Sequence, residues 1–103
     1  MIVNNAHSKV VNINPFLVKI IAKSYHWNKL IDDGKAQHSK DIQKIENLSD
    51  NDYIKKALGL RILSPKIVEA ILNGHQPEDL TVQKLLNVKT LDWQEQERIL
   101  NFI

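Results

Sequence analysis

The side chains in this sequence with chemistry to offer are mainly cations and amides, and they gather between Ser39 and Leu63, SKDIQKIENLSDNDYIKKALGLRIL. Ile54, Ala57, Leu58 and Ile62 recur there at helical spacing, which turns Asn51, Asp52, Lys55, Lys56 and Gly59 to the opposite side. A short helix with an apolar inner face and a polar, cationic outer strip has what docking into a DNA major groove requires. Catalytic chemistry is poorly provided for. His7, His26, His38 and His75 contain no pair at metal-ligand spacing, and no carboxylate joins them in an HExxH or Asp-x-Asp pattern. His26 and His38 could meet in space, but two ordinary surface histidines are the simpler reading. With glycine only at Gly34, Gly59 and Gly74, no glycine-rich loop can cradle a nucleotide. The serines stand at expected helix caps rather than at a strand–turn–helix elbow, and Asp32-Asp33 and Glu78-Asp79 sit near helix ends, where they solvate a terminus. Neither enzymatic activity nor a cofactor is expected.

The elements that must hold the polar strip are two short helices joined by a tight turn. Ser39 is expected to cap the first, with Asp41 near its positive end and Ile42 and Ile45 on one buried face. Asn47-Leu48 interrupts the pattern. Ser49 is expected to open the second helix, with Asp52 three residues on completing a capping box. The unit at residues 39–63 therefore reads as a helix-turn-helix. A tri-helical protein-interaction module would show the same periodicity.

Around this unit the spacing predicts further helices. Asn14-Pro15 is a capping side chain followed by proline at the first helical position, so a helix should run from about Pro15 to Asp33. Leu17, Ile20, Ile21, Trp27, Leu30 and Ile31 form its apolar stripe, and Gly34 stops it. Lys19, Lys23 and His26 line another face, read as solvated. Ser64-Pro65 repeats the cap-then-proline device before Ile67, Val68, Ile71 and Leu72, ending at Asn73-Gly74. Thr81 opens a short helix with Val82, Leu85 and Leu86 inward. Asp92 and Glu95 have capping-box spacing at the start of the last helix, whose Trp93, Gln96, Ile99 and Leu100 should face the core or a partner. Residues 1–13 are expected to be a partly ordered lead-in without a site, and residues 14–103 one all-α domain of five to six helices.

The bulk properties agree. A chain of 103 residues can bury about two-thirds of its unfolded surface around one core. It lacks a run of about eighteen apolar residues that would span a membrane and the apolar stretch of a secretory signal, and it has no cysteine. A cytoplasmic location is the expectation. The formal net charge of +2 is modest, but residues 1–66 hold eleven of the fourteen Lys+Arg and six of the twelve Asp+Glu, a net of +5, against −3 for residues 67–103. Because phosphate contacts are local and charges are screened beyond about 8 Å, such asymmetry can aim a weakly charged protein at a polyanion.

Leu17 to Trp27 (LVKIIAKSYHW), Asp50 to Leu60 (DNDYIKKALGL) and Leu63 to Pro77 (LSPKIVEAILNGHQP) together resemble a bacterial helix-turn-helix segment. That segment occurs at the C-terminal end of some large serine recombinases of the resolvase/invertase type and in stand-alone proteins beside them. It is also similar to the helix-turn-helix core of ParB/KorB partition proteins. The resemblance spans about Leu17 to Phe102. It implies that Asp50 to Leu60 faces DNA, with its early residues nearest the base edges. Asn51, whose amide offers a donor and an acceptor, is then the candidate for reading adenine. Lys40, Lys44, Lys55 and Lys56 would neutralise phosphates. Tyr53 would donate its hydroxyl to phosphate or else pack on the first helix, and Asp52 would accept from cytosine or else serve as cap partner of Ser49. Where the family often has arginine this chain has Gly59, with Arg61 two positions later as the remaining guanidinium of the site. Weak binding, or binding that needs a partner domain, would follow.

The expected function is that of a small DNA-binding protein with recombination- or partition-linked roles, dimeric because one short helix reads few bases. The acidic last third would supply the dimer surface. A recombinase is an expected partner and a membrane is not. The recombinase's catalytic serine, arginines and zinc ribbon have no counterpart here. A free-standing accessory protein and a detached recombinase tail both fit, as does a helical interaction module that has lost DNA affinity.

Overall fold

Helix starts in this chain are made by side chains that accept hydrogen bonds from otherwise unpaired amides. In the computed structural model, which describes residues 11–103, Asn14 accepts from the amides of Phe16 and Leu17 at 3.0 and 3.2 Å and opens α1, Pro15–Asp32. Ser64 accepts from Lys66 at 3.2 Å before α4, Pro65–Asn73, and Thr81 from Lys84 at 3.1 Å before α5, Val82–Leu86. Asp92 accepts from Gln94 and Glu95 at the start of α6, Trp93–Ile99. Each such cap stabilises its helix by about 1 kcal/mol. Between α1 and α4 lie α2, Ser39–Glu46, α3, Asn51–Gly59, and a 3-10 turn, Leu60–Ile62. There are six α-helices and no strand among the described residues, an all-α fold. None of the helices is long and apolar enough to cross a membrane.

Two expected caps differ. Asn47 adopts a left-handed φ of 55° and closes α2, and the chain then reaches Asp50 in extended geometry. Asp50, not Ser49, therefore caps α3, accepting from the Tyr53 amide at 3.1 Å. An aspartate does this as well as a serine, and the one-residue shift releases Asp52 from any capping role. The residue before α2 is His38, and it makes no side-chain cap. Ser39 is instead the buried first residue of the helix, and the Asp41 carboxylate reaches back to the Gln37 amide at 2.8 Å.

α1 is the spine. Its Leu17, Ile20 and Trp27 share one buried cluster with Ile42 of α2, Ile54 and Ala57 of α3, Leu60 and Leu63 of the following turn, Ile67 and Ile71 of α4, and Leu85 of α5. Full burial of each large aliphatic side chain stabilises the fold by about 1.5–3 kcal/mol. Ile45, expected beside Ile42, is 52% exposed. The buried positions of α2 are Ser39 and Ile42, while Glu46 in its last turn lies 4.0 Å from His26 of α1. The second helix of the unit also ends earlier than Leu63, tightening after Gly59 into the 3-10 turn.

Of the expected lead-in, residues 1–10 with His7 lie outside the described residues. Asn12 is tied to the end of α4, its amide donating to the Gly74 carbonyl at 2.8 Å and its carbonyl accepting from Gln76 Nε2 at 2.8 Å. Gly74 has a φ of +76°, and a Cβ there would stand 2.9 Å from the Asn12 nitrogen. Both the helix stop and the close strand-like approach of Asn12 need glycine.

α6 is anchored by Gln96, which is fully buried. Its Oε1 accepts from the Ser64 amide at 2.7 Å, and its Nε2 donates to the carbonyls of Ile62 and Thr90 at 3.1 and 2.9 Å. The Ser64 hydroxyl donates to Glu97 at 2.6 Å. Leu100 is buried beside it, while Trp93 and Ile99 are about half exposed, at 53% and 49%.

Candidate nucleic-acid interface

The two-helix unit is held together by the residue expected to read a base. Asn51 Nδ2 donates to Ser39 Oγ at 3.0 Å and to Gln43 Oε1 at 3.3 Å, and Ser39 Oγ donates to Asn51 Oδ1 at 3.3 Å. Gln43 Nε2 in turn reaches the Ser49 carbonyl at 3.4 Å across the turn. Asn51 is thus turned toward α2, not outward. It precedes the buried Ile54 by three positions, which sets it on the same side of α3. That spacing is visible in the sequence. Gln43 was not singled out at all.

The outer strip of α3 carries Asp52, Lys55, Lys56 and Gly59. Lys55 is exposed, with no carboxylate within 4.0 Å among the described residues. Lys56 Nζ is 3.3 Å from the Asp52 carboxylate one turn earlier, and this ion pair replaces the expected Ser49–Asp52 box. On α2, Lys40 and Lys44 are exposed and stand opposite the buried Ile42. With Gln43, Asn47 and Leu48 they line a groove of about 320 Å³.

Tyr53 packs on α1. Its ring is half-buried and meets Trp27 edge to face, with centroids 6.1 Å apart and an interplanar angle of 82°. Burial raises its pKa above the usual phenol value. Lys23 Nζ lies 5.8 and 5.9 Å from the Trp27 and Tyr53 ring centroids, a cation–π contact across the α1–α3 junction. Lys23, read as part of a solvated face, is therefore partly a packing residue. Trp27 is fully buried, and its Nε1 has no acceptor among the described residues.

Arg61 leaves the outer strip. It lies in the 3-10 turn, where three residues per turn replace 3.6 and side-chain directions shift relative to α3. Its guanidinium donates to Asn28 Oδ1 at 3.3 Å and stands 3.9 Å from Asp32, both on α1. There it borders a cleft of about 440 Å³ with Ser24, Tyr25 and Asp33.

Among the described residues, some cations lie within 4.0 Å of a carboxylate and others do not. Lys29, Lys66, Lys84, Arg61 and Arg98 are matched by Asp33, Glu97, Asp79, Asp32 and Glu95 within 4.0 Å. Lys40, Lys44 and Lys55 on the two-helix unit are exposed and unmatched among the described residues, as are Lys19, Lys35 and Lys89 elsewhere. Three such ammonium groups can exchange counterions for phosphates, each contributing about −0.9 to the slope of log K against log salt. Compared with known proteins, the chain matches no family model, no curated protein and no solved structure.

Proposed function

We propose that this protein binds duplex DNA through α2, the turn and α3, with α3 laid against the major groove. Lys40, Lys44 and Lys55 would neutralise phosphates beside it. The observation that carries the reading is that these three lysines are exposed together on one two-helix unit, without partner carboxylates among the described residues. With the Asn51 amide committed to Ser39 and Gln43, the outer strip offers few groups for base edges, so phosphate contacts dominate and sequence selectivity is small. The resemblance of residues 17–102 to recombinase and partition segments is the reason to propose a recombination- or partition-linked role beside a recombinase partner. Pairing of two copies would double the contacts.

A second reading, a helical protein-interaction module, is favoured by Leu91, Trp93, Ile99 and Ile103, which leave apolar surface exposed at the C-terminal end. Binding to mixed-sequence duplex at two salt concentrations separates the readings. Duplex affinity that falls steeply with salt, and falls again in Lys55→Glu with Lys56→Glu, supports DNA binding. A measurable affinity left unchanged by that double substitution removes α3 from the interface.

A further inference from the structure

One residue on the outer strip of α3 has no reason within the fold to be what it is. Gly59 has an ordinary helical φ of −65°, and a Cβ built on it would meet nothing within 4 Å. Glycine weakens a helix relative to alanine, so neither backbone geometry nor packing accounts for it. A missing side chain on the solvent side does serve the close approach of a backbone from outside. Gly59 shares a cleft of about 200 Å³ with Lys56 and with Lys89, which comes from the connection between α5 and α6. Lys89 is exposed and has no carboxylate within 4.0 Å among the described residues. At the carbonyl end of α3, which would repel an anion, the Leu58 carbonyl accepts from Asn28 Nδ2 at 3.0 Å, and in the following 3-10 turn Ile62 is engaged as well. Its oxygen accepts from Trp93 Nε1 at 3.2 Å and from Gln96 Nε2 at 3.1 Å.

We propose that Gly59, Lys56 and Lys89 form a second phosphate contact at the C-terminal end of α3, with one DNA strand passing directly over Gly59. The inference rests on the duplex-binding reading and completes it. A helix in a major groove about 12 Å wide has a phosphate backbone along each wall. Lys40 and Lys44 on α2 supply cations for one wall, and Lys56 with Lys89 supplies them for the other. Lys56 gives up its ion pair with Asp52 when phosphate arrives.

The test compares wild type, Gly59→Leu, Lys89→Gln and Lys55→Gln for binding to a mixed-sequence duplex across a salt series, with thermal melting of each. Gly59→Leu is expected to melt no lower than wild type yet bind about tenfold or more weakly, because its side chain fills the approach. Should that variant fail to fold, Gly59→Ala replaces it, with a smaller loss of affinity expected. Lys89→Gln is expected to lower the magnitude of the salt slope by about 0.9. If the Gly59 and Lys89 variants bind as wild type while Lys55→Gln weakens binding and flattens the slope, DNA binding stands and this contact is wrong. If wild type shows no salt-dependent binding, both fall.

Discussion

Replacing Asn51 with alanine distinguishes a residue that reads a base from one that fastens α3 to α2. The substitution removes three hydrogen bonds, two donated by Nδ2 and one accepted by Oδ1. Gln43 is only partly covered and can turn to water, so its loss counts little. Ser39 is 7% exposed and has no such recourse. Leaving a buried hydroxyl without its partners costs about 1–3 kcal/mol, and alanine returns about 0.5 kcal/mol in helix propensity, for a net loss of about 1.5 kcal/mol. For a domain of this size that lowers the melting temperature by roughly 6–12 °C. Urea denaturation followed by circular dichroism measures the first quantity and a thermal scan the second. Below the transition, affinity for mixed-sequence duplex is expected to stay within about twofold of wild type, because a side chain held inside the helix pair contributes no phosphate contact. Full stability combined with a loss of affinity confined to particular sequences would refute this reasoning and return Asn51 to the groove.

Gln96→Leu keeps the side-chain volume but strips the acceptor from the buried Ser64 amide, and should destabilise the domain by about 2–3 kcal/mol in urea denaturation. Ser64→Ala, measured alone and in combination, should show less than additive loss, because the two side chains belong to one network. Gly74→Ala forces a left-handed alanine against the Asn12 backbone and is expected to cost about 2 kcal/mol or more; a loss below about 0.5 kcal/mol would mean that Asn12 is not held there. The pKa values of Asp41 and Glu95 are lowered, by the Gln37 amide hydrogen bond and by the Arg98 side chain respectively. Their stabilisation is present above the ordinary carboxylate range of about 4 and is lost as pH falls through the lower folded values. Denaturation midpoints should therefore hold between neutrality and mild acid and drop below that range, less steeply in Asp41→Asn. Tyr53 acts in the other direction: burial keeps its proton in the folded state, so stability should decline as pH rises above about 10.

Local chemistry written in neighbouring residues was legible without a fold. Asn14-Pro15, Ser64-Pro65, Thr81 and Asp92 open helices because each satisfies amides only two or three residues away, and the apolar spacing of Leu17, Ile20 and Trp27 identifies the inner face of α1 regardless of what covers it. The ends of α2 and α3 were less legible, since Ser49, Asp50 and Asp52 are all competent near a helix start. The left-handed turn at Asn47 chose among them. With Asp50 as the cap, Asp52 was left to Lys56; Asn51, on the side of the buried Ile54, meets Ser39 where α2 packs on α3, and the expected reader of bases became a fastening between helices.

The remaining decisions belonged to contacts between residues far apart in the chain. Arg61 turns to Asn28 and Asp32, thirty-three and twenty-nine positions away, and Gln96 reaches Ser64 and Ile62. No periodicity announces such pairs, because the direction of a polar side chain depends on which donors and acceptors packing brings within 3 Å. The sequence by itself determined the helices and the apolar faces they bury, through forces acting within a turn or two. Tertiary structure alone decided which cations stay exposed and unmatched, because ion pairing depends on distances that the chain sets only when it closes on itself.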